Sequence, residues 1–349
     1  FGGLCTPARP GREGVPVFAT GNSTVSRVLI GDPRNYFVDA DVSPDGLRLL
    51  RVVSSYDPGK GPSTRVETLD LSNGNREPVF APVRAYHRVH WQDATRYLLG
   101  SEGYNPTNDT EDAMAGFPPA LLVDPSCAAR GDCTTIDSRW QMRPADAGAL
   151  VALGSPANYC YQAAACGIVC NDGEARPDGN QTSDPPATGI AFRAAGARDW
   201  RPMAQAALAG QVITAIETSP DRRQLAVATR AWDRADAPAA KQVLRLWLMD
   251  ITDGKATSPR RLLEIVDPLA NGNHFTDDDT IRALSFSADG RRIVFTHKKA
   301  AGASVARADL YLVDTDAAAK ARTIPGFSRR AVAIGDDRVL GLDDGTLLD

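Results

Sequence analysis

The side chains of this chain that could do chemistry are few and scattered. Four histidines are present among 349 residues. His87 and His90 form an H-x-x-H pair; on a strand, positions three apart point to opposite faces, so the two rings are expected to diverge and to be ordinary polar histidines. His274 precedes an acidic run, Asp277, Asp278 and Asp279, whose carboxylates suit a hard cation such as Ca²⁺. The run lacks the alternating spacing of a known calcium loop, so a solvated acidic turn is the competing reading. Asn108, Asp109, Glu111 and Asp112 make a second polar loop of the same kind. No G-x-S-x-G nucleophile elbow and no glycine-rich phosphate loop occurs. No cofactor is therefore expected beyond a calcium ion at Asp277–Asp279, and no catalytic residue is assigned.

The six cysteines carry the other chemistry. Cys127 and Cys133 bracket AARGD, Cys160, Cys166 and Cys170 crowd into NYCYQAAACGIVC, and Cys5 stands alone. Their spacings match no zinc or haem motif, and they fall in turn-like segments, so disulfides are the expected use. Cys127 should pair with Cys133 across a short turn. Cys5, Cys160, Cys166 and Cys170 should form two bonds, one of them tying Cys5 to the triplet. An oxidising compartment follows: periplasm, secretion or the cell surface. The chain opens on Phe1 with no basic-then-apolar leader, as a processed or trimmed protein does, and the Ala- and Arg-rich composition has a bacterial character. A formal net charge of −4 offers no excess of cations for phosphates; nucleic acid is excluded as an expected partner. No apolar run reaches the roughly 20 residues of a spanning helix.

The elements that position these residues are announced by a recurring phrase. Ser43-Pro44-Asp45-Gly46, Ser219-Pro220-Asp221-Arg222 and Ser287-Ala288-Asp289-Gly290 each precede a β-rich run. Looser copies centre on Asp93, Asp146 and Asp336. Asp accepts backbone N–H groups within a turn and Gly supplies positive φ, so the phrase is structural and its aspartates are not catalytic. Strand, tight turn, strand, loop, strand, repeated at this period, is one blade of an antiparallel propeller. The expected first blade has strands at Tyr36–Ser43, Leu47–Ser55, Thr64–Ser72 and near Glu77–Pro82. A two-sheet sandwich would not explain the return of one phrase before similar strand pairs.

The segment Ser285–Asp314, apolar-x-Phe-Ser-x-Asp-Gly-Arg-Arg-Ile-Val-Phe and then Asp-Leu-Tyr-Leu-Val-Asp, resembles the WD40-like, TolB-type (PD40) propeller repeat. Blades one, four and five match well and the others loosely. The resemblance implies an all-β propeller fold and little about function, since that repeat serves scaffolds, peptidase gating domains and surface proteins alike. TolB carries an additional N-terminal domain for which this chain has no room.

Six blades are expected over residues 27–349, seven if Val15–Thr20 belongs to another blade, with residues 1–26 as an N-terminal arm. The last blade lacks an outer strand, and Arg27–Gly31 is expected to supply it and close the ring. The long insertions, Tyr56–Pro62, Gly103–Pro118, Asn158–Pro186 and Ala256–Thr280, all fall in second-to-third-strand or inter-blade connections. Such connections share one face of a propeller, and long ones are usually functional. The expected function is a non-enzymatic binding or scaffold module that meets a protein partner on that face. The alternative is an enzyme: a metal-assisted hydrolase, or the propeller portion of a larger peptidase or redox protein.

Overall fold

The computed structural model describes residues 35–57, 61–71, 73, 75–80, 88–100, 120–136, 142–145, 149–153, 160–163, 167–170, 175–176, 190–203, 206–209, 211–232, 241–268, 281, 284–297, 308–316, 321–327, 331–342 and 347–348. Five four-stranded antiparallel meanders follow one another. The first holds β1 (Asn35–Val42), β2 (Arg48–Asp57), β3 (Gly61–Asp70) and β4 (Arg76–Phe80). The second holds β5 (Arg88–Trp91), β6 (Tyr97–Gly100), β7 (Ala120–Val123) and β8 (Thr134–Ile136), with the short helix α1 (Pro125–Arg130) between β7 and β8. The third begins with β9 (Arg143–Pro144) and β10 (Leu150–Leu153). A separate small sheet of β11 (Cys160–Ala163), β12 (Gly167–Cys170) and β13 (Ala175–Arg176) comes next in the chain. The third meander then resumes with β14 (Ile190–Arg193) and β15 (Arg201–Met203).

The fourth is the longest: β16 (Val212–Thr218), β17 (Gln224–Trp232), β18 (Lys241–Thr252) and β19 (Lys255–Pro268). The fifth holds β20 (Ser285–Phe286), β21 (Arg292–His297), β22 (Asp309–Asp314) and β23 (Ala321–Ile324). A three-stranded sheet of β24 (Ala331–Ile334), β25 (Arg338–Gly341) and β26 (Leu347–Leu348) ends the described chain.

The first strand of each sheet neighbours the next around a circle: β1 beside β5, then β9, β16, β20 and β24, and β24 beside β1 again. The second strands explain the packing. In β6, Tyr97 and Leu99 join Leu50, Val52 and Trp91 between the first two sheets. Leu98, between them in sequence, turns the other way onto Ala152, Leu150 and Met142 of the third. In β17, Leu225 and Val227 pack back onto Val151 and Ile190, while Ala226 and Ala228 pack forward onto Ile293 and Phe295. Val294 meets Ala331, Ala333 and Val339, and Val332, Ile334 and Leu340 meet Ala40, Leu49 and Leu69. A sheet buried on both faces needs apolar residues at every position. That is why YLL, LAVA, IVF and AVAI read as continuous runs rather than alternations. The fold is an all-β propeller.

The recurring phrase does what its chemistry requires, three times over. Asp45 Oδ1 accepts from Ser43 Oγ (2.5 Å) and Leu47 N (3.0 Å), and Arg48 N donates to Ser43 Oγ (2.9 Å). Asp221 and Asp289 take the same bonds from Ser219 and Arg223, and from Ser287 and Arg291. Gly46 and Gly290 sit at φ 73° and 71°, in the left-handed region. The first sheet matches the expected strands closely.

Three expectations are corrected. The Tyr56–Pro62 insertion is mostly strand, because β2 and β3 stay in register out to Asp57 and Gly61. Ala256–Thr280 is not one loop: β19 pairs with β18 as far as Pro268. The Cys127–Cys133 segment is a helical turn rather than a plain hairpin. Asp124 caps it by accepting from Ser126 N and Cys127 N, and Gly131 at φ 76° ends it. Within it Cys127 and Cys133 are disulfide-bonded, with Cα atoms 4.7 Å apart. Arg27–Gly31 lies outside the described residues. Among the described residues no helix is long and apolar enough to cross a membrane.

Candidate functional site

The inner strands and one of their turns carry a group of charged side chains. Asp39 and Asp41 occupy alternate positions of β1, and Arg88 and His90 alternate positions of β5. Arg143 lies on β9, Glu217 near the end of β16, and Arg222 in the β16–β17 turn. Asp41, His90 and Glu217 each stand one residue before the end of a strand that leads into a tight first turn.

Edge strands explain why the acids are there. β5 is the inner edge of its sheet, and its outward N–H groups need acceptors. Val89 N donates to Asp39 Oδ2 (3.0 Å) and Trp91 N to Asp41 Oδ2 (2.8 Å). The carboxylates of one blade thus cap the open edge of the next, and Trp91 Nε1 adds a bond to Asp41 O (3.2 Å). Arg88 pairs with Asp39 (3.2 Å) and Arg143 Nε with Glu217 (2.7 Å). Thr218 Oγ1 donates to Pro144 O (2.7 Å), tying β16 to β9.

Arg222 stands where the other two full copies of the phrase have glycine. It holds a φ of 64°, a conformation that costs a non-glycine residue about 1 kcal/mol. Its guanidinium donates to Trp91 O (2.6 Å) and to Thr218 Oγ1 (3.4 Å). One turn of the fourth sheet is thereby fastened to the inner strand of the second.

The electrostatics are set by burial. Asp41 is pushed up to about 7, first by desolvation and then by the like charge of Glu217; the Trp91 N–H bond and Arg222 pull the other way. Its side chain is nevertheless 32% exposed to solvent. Glu217 is raised by burial, against the pull of Arg143. His90 is held well below its usual range by burial and by Arg143, Arg88 and Arg222, so its imidazole is neutral. His90 Nδ1 lies 4.0 Å from Asp41 Oδ2, and Nε2 is buried with no hydrogen-bond partner among the described residues. A carboxyl that titrates near neutrality beside a neutral imidazole can hold and pass a proton.

Sequence reasoning placed function elsewhere. His90 is not an ordinary polar histidine but a buried member of this group. Asp39, Asp41, Arg88, Arg143, Glu217 and Arg222 were not singled out. The available signal was local: charges at alternate positions of otherwise apolar inner strands, and arginine in place of a turn glycine. Asp277, Asp278, Asp279, His87, His274, Cys5 and Cys166 lie outside the described residues. Among the described residues no three His, Cys, Asp or Glu side chains converge as metal ligands. Cys160 and Cys170 are described by their backbone pairing alone.

No protein-family model matches the chain, and no curated protein does. Solved structures are similar to it over most of its length at low identity. A hydrazine synthase from Kuenenia stuttgartiensis is 10% identical, with 89% of this chain and 95% of that one covered and a TM-score of 0.48. An oligogalacturonate lyase in complex with manganese is 13% identical over 90% of this chain and 88% of that one, with a TM-score of 0.44. A prolyl endopeptidase is 11% identical over 87% of this chain and 44% of that one, with a TM-score of 0.42. At such values no residue of theirs maps onto one here, and the fold assignment rests on the strand order: the chain is a β-propeller, with five four-stranded blades among the described residues.

Proposed function

We propose that this chain is the propeller of an exported protein that binds a protein partner on the end of the ring opposite the tight first turns. One observation carries the reading: the connections are grossly unequal at the two ends. First-to-second-strand turns span only 43–47, 92–96, 219–223, 287–291 and 335–337. The connections at the other end include 101–119, 154–189 and 269–284, and the longest contains β11, β12 and β13. Long excursions from a compact domain carry function more often than structure. The Cys127–Cys133 bond supports an oxidising compartment. In this reading the sheet β24–β26 is a sixth blade, completed by Arg27–Gly31 as its outer strand, and residues 1–26 are an arm.

A photo-crosslinking residue placed singly at Asn108, Asp172 or Asp278, and in control variants at Ala94, Arg223 or Asp337, tests the reading in the cells that make the protein. Discrete adducts to one protein from the first set alone support it. Adducts confined to the second set, or none from either, overturn it.

A second reading is favoured by the Asp41–His90 pair: an enzyme using acid–base chemistry in the channel, alone or within a larger hydrolase, peptidase or redox protein. A deep, solvent-reached carboxyl with near-neutral affinity for protons is how catalytic acids are commonly tuned. The calcium option at Asp277–Asp279 belongs with either reading and is tested by calorimetric titration of the metal-free protein with Ca²⁺.

A further inference from the structure

The small sheet in the longest connection places two cysteines in register. β11 and β12 pair antiparallel through Cys160↔Cys170, Tyr161↔Val169, Gln162↔Ile168 and Ala163↔Gly167. Residues directly opposite one another on such strands have Cβ atoms about 4.5–5.5 Å apart and share a face. A disulfide needs Cα atoms within about 7 Å and Cβ atoms about 3.5–4.5 Å apart, so a small adjustment of the pair suffices.

Cys166 does not compete for either strand cysteine. It directly precedes Gly167, whose partner is Ala163, at the closed end of the hairpin. Cys160 and Cys170 stand three residues along their strands from the Ala163–Gly167 pair, about 10 Å at the usual rise. Cys127 and Cys133 are already bonded to each other. Six cysteines then leave Cys5 as the partner within the chain for Cys166.

We propose that Cys160 and Cys170 form a cross-strand disulfide that closes the β11–β12 hairpin, leaving Cys166 at its tip to bond Cys5. The oxidant is a disulfide of the exchange class, a protein dithiol oxidase or oxidised glutathione. A thiolate of one cysteine attacks it, giving a mixed disulfide and one released thiol. The second cysteine's thiolate then displaces the remaining sulfur, so each bond formed removes two electrons and two protons from the chain and reduces one oxidant disulfide to two thiols. The hairpin would become a covalently closed finger tethered to the N-terminal arm. The bond stands whether or not the loop-rich end binds a partner.

Non-reducing peptide mapping of the oxidised full chain tests this. Trypsin leaves all three cysteines in one peptide, so chymotrypsin, cutting after Tyr161, is combined with thermolysin, cutting before Ile168 or Val169. The expected products are a Cys160–Cys170 linked pair and a separate Cys5–Cys166 pair. The C160S/C170S double variant should retain the Cys5–Cys166 link and lose two protons fewer on oxidation, 2 Da by intact mass. A Cys160–Cys166 or Cys166–Cys170 peptide, Cys5 joined to Cys160 or Cys170, or alkylatable thiols at Cys160 and Cys170 while Cys127–Cys133 is intact, overturns the proposal.

Discussion

Asp41 and His90 make opposite demands on protons, and the structure predicts how each shows when the other is removed. In the folded ring His90 stays neutral well below its ordinary 6.5, whereas Asp41 stays protonated up to about 7 instead of its ordinary 3.8. Between about pH 4.5 and 6 the fold holds one proton on the pair, on Asp41. The unfolded chain also holds one, on His90, with the aspartate ionised. Equal proton counts mean that the pair gives stability no slope with pH in that window.

Replacing Asp41 by Asn leaves only the histidine. The unfolded chain then takes a proton that the fold refuses, and stability falls as pH drops below about 6.5. The ceiling is about 1.4 kcal/mol per pH unit, or about 2 kcal/mol by pH 5. Replacing His90 by Gln leaves only the carboxyl. The fold now holds a proton that the unfolded chain has released, so stability falls as pH rises from about 4 to 7. The ceiling is about 4 kcal/mol, and solvent reaching the 32% exposed side chain reduces it to about 2 kcal/mol. Urea midpoints of the wild type, D41N, H90Q and the double variant, measured from pH 4.5 to 8, decide the matter. Relative to the wild type, D41N and H90Q should slope in opposite directions between pH 5 and 6.5, and the double variant should run parallel to the wild type. Slopes of one sign in both single variants would refute the reasoning.

Other outcomes follow from particular contacts. Gly254→Ala should destabilise by about 2–3 kcal/mol, since a Cβ there would lie 2.6 Å from Phe192 Cδ1 at a φ of 72°; Gly290→Ala meets only Pro220 at 3.7 Å and should cost about 1 kcal/mol, both read from urea unfolding. Glu67→Ala removes a carboxylate that pairs with the buried Arg51 guanidinium and should cost about 3 kcal/mol, with Leu49→Ala as the apolar reference in the same melts. Removing residues 1–32 should lower the melting temperature by several degrees if Arg27–Gly31 completes the last sheet; an unchanged melting temperature removes that strand from the ring.

The parts of this molecule that the sequence exposes are those whose cause is local. Ser-Pro-Asp-Gly makes its turn from bonds among residues two to five apart, so Ser43, Ser219 and Ser287 mark three blades unaided. Most second strands are equally plain, because burial on both faces favours apolar runs, although the buried Arg51 interrupts that of β2. What the sequence conceals depends on partners far along the chain. The length of β19 is set by β18, whose strand continues to Lys241, and not by its own composition. The capping of α1 rests on Asp124, which also reads as an ordinary acidic turn. The charged group is the extreme case: Asp41, His90, Arg143 and Glu217 come from four blades and meet only because their strands encircle one axis. Each alone looks like a surface charge. Arg222 was the exception that could have been seen, as an arginine occupying a glycine's place in a repeated phrase.

Whether the loop-bearing end or the channel does the work is decided by one comparison of affinities. The partner protein captured by crosslinking is titrated against the wild type, D41N, and a variant in which residues 154–189 are replaced by a short turn joining β10 to β14. The expected result is at least a tenfold loss of affinity in the loop variant, with its melting temperature retained, and wild-type affinity in D41N. Unchanged affinity in the loop variant, with binding lost in D41N, would contradict it and move the site into the channel.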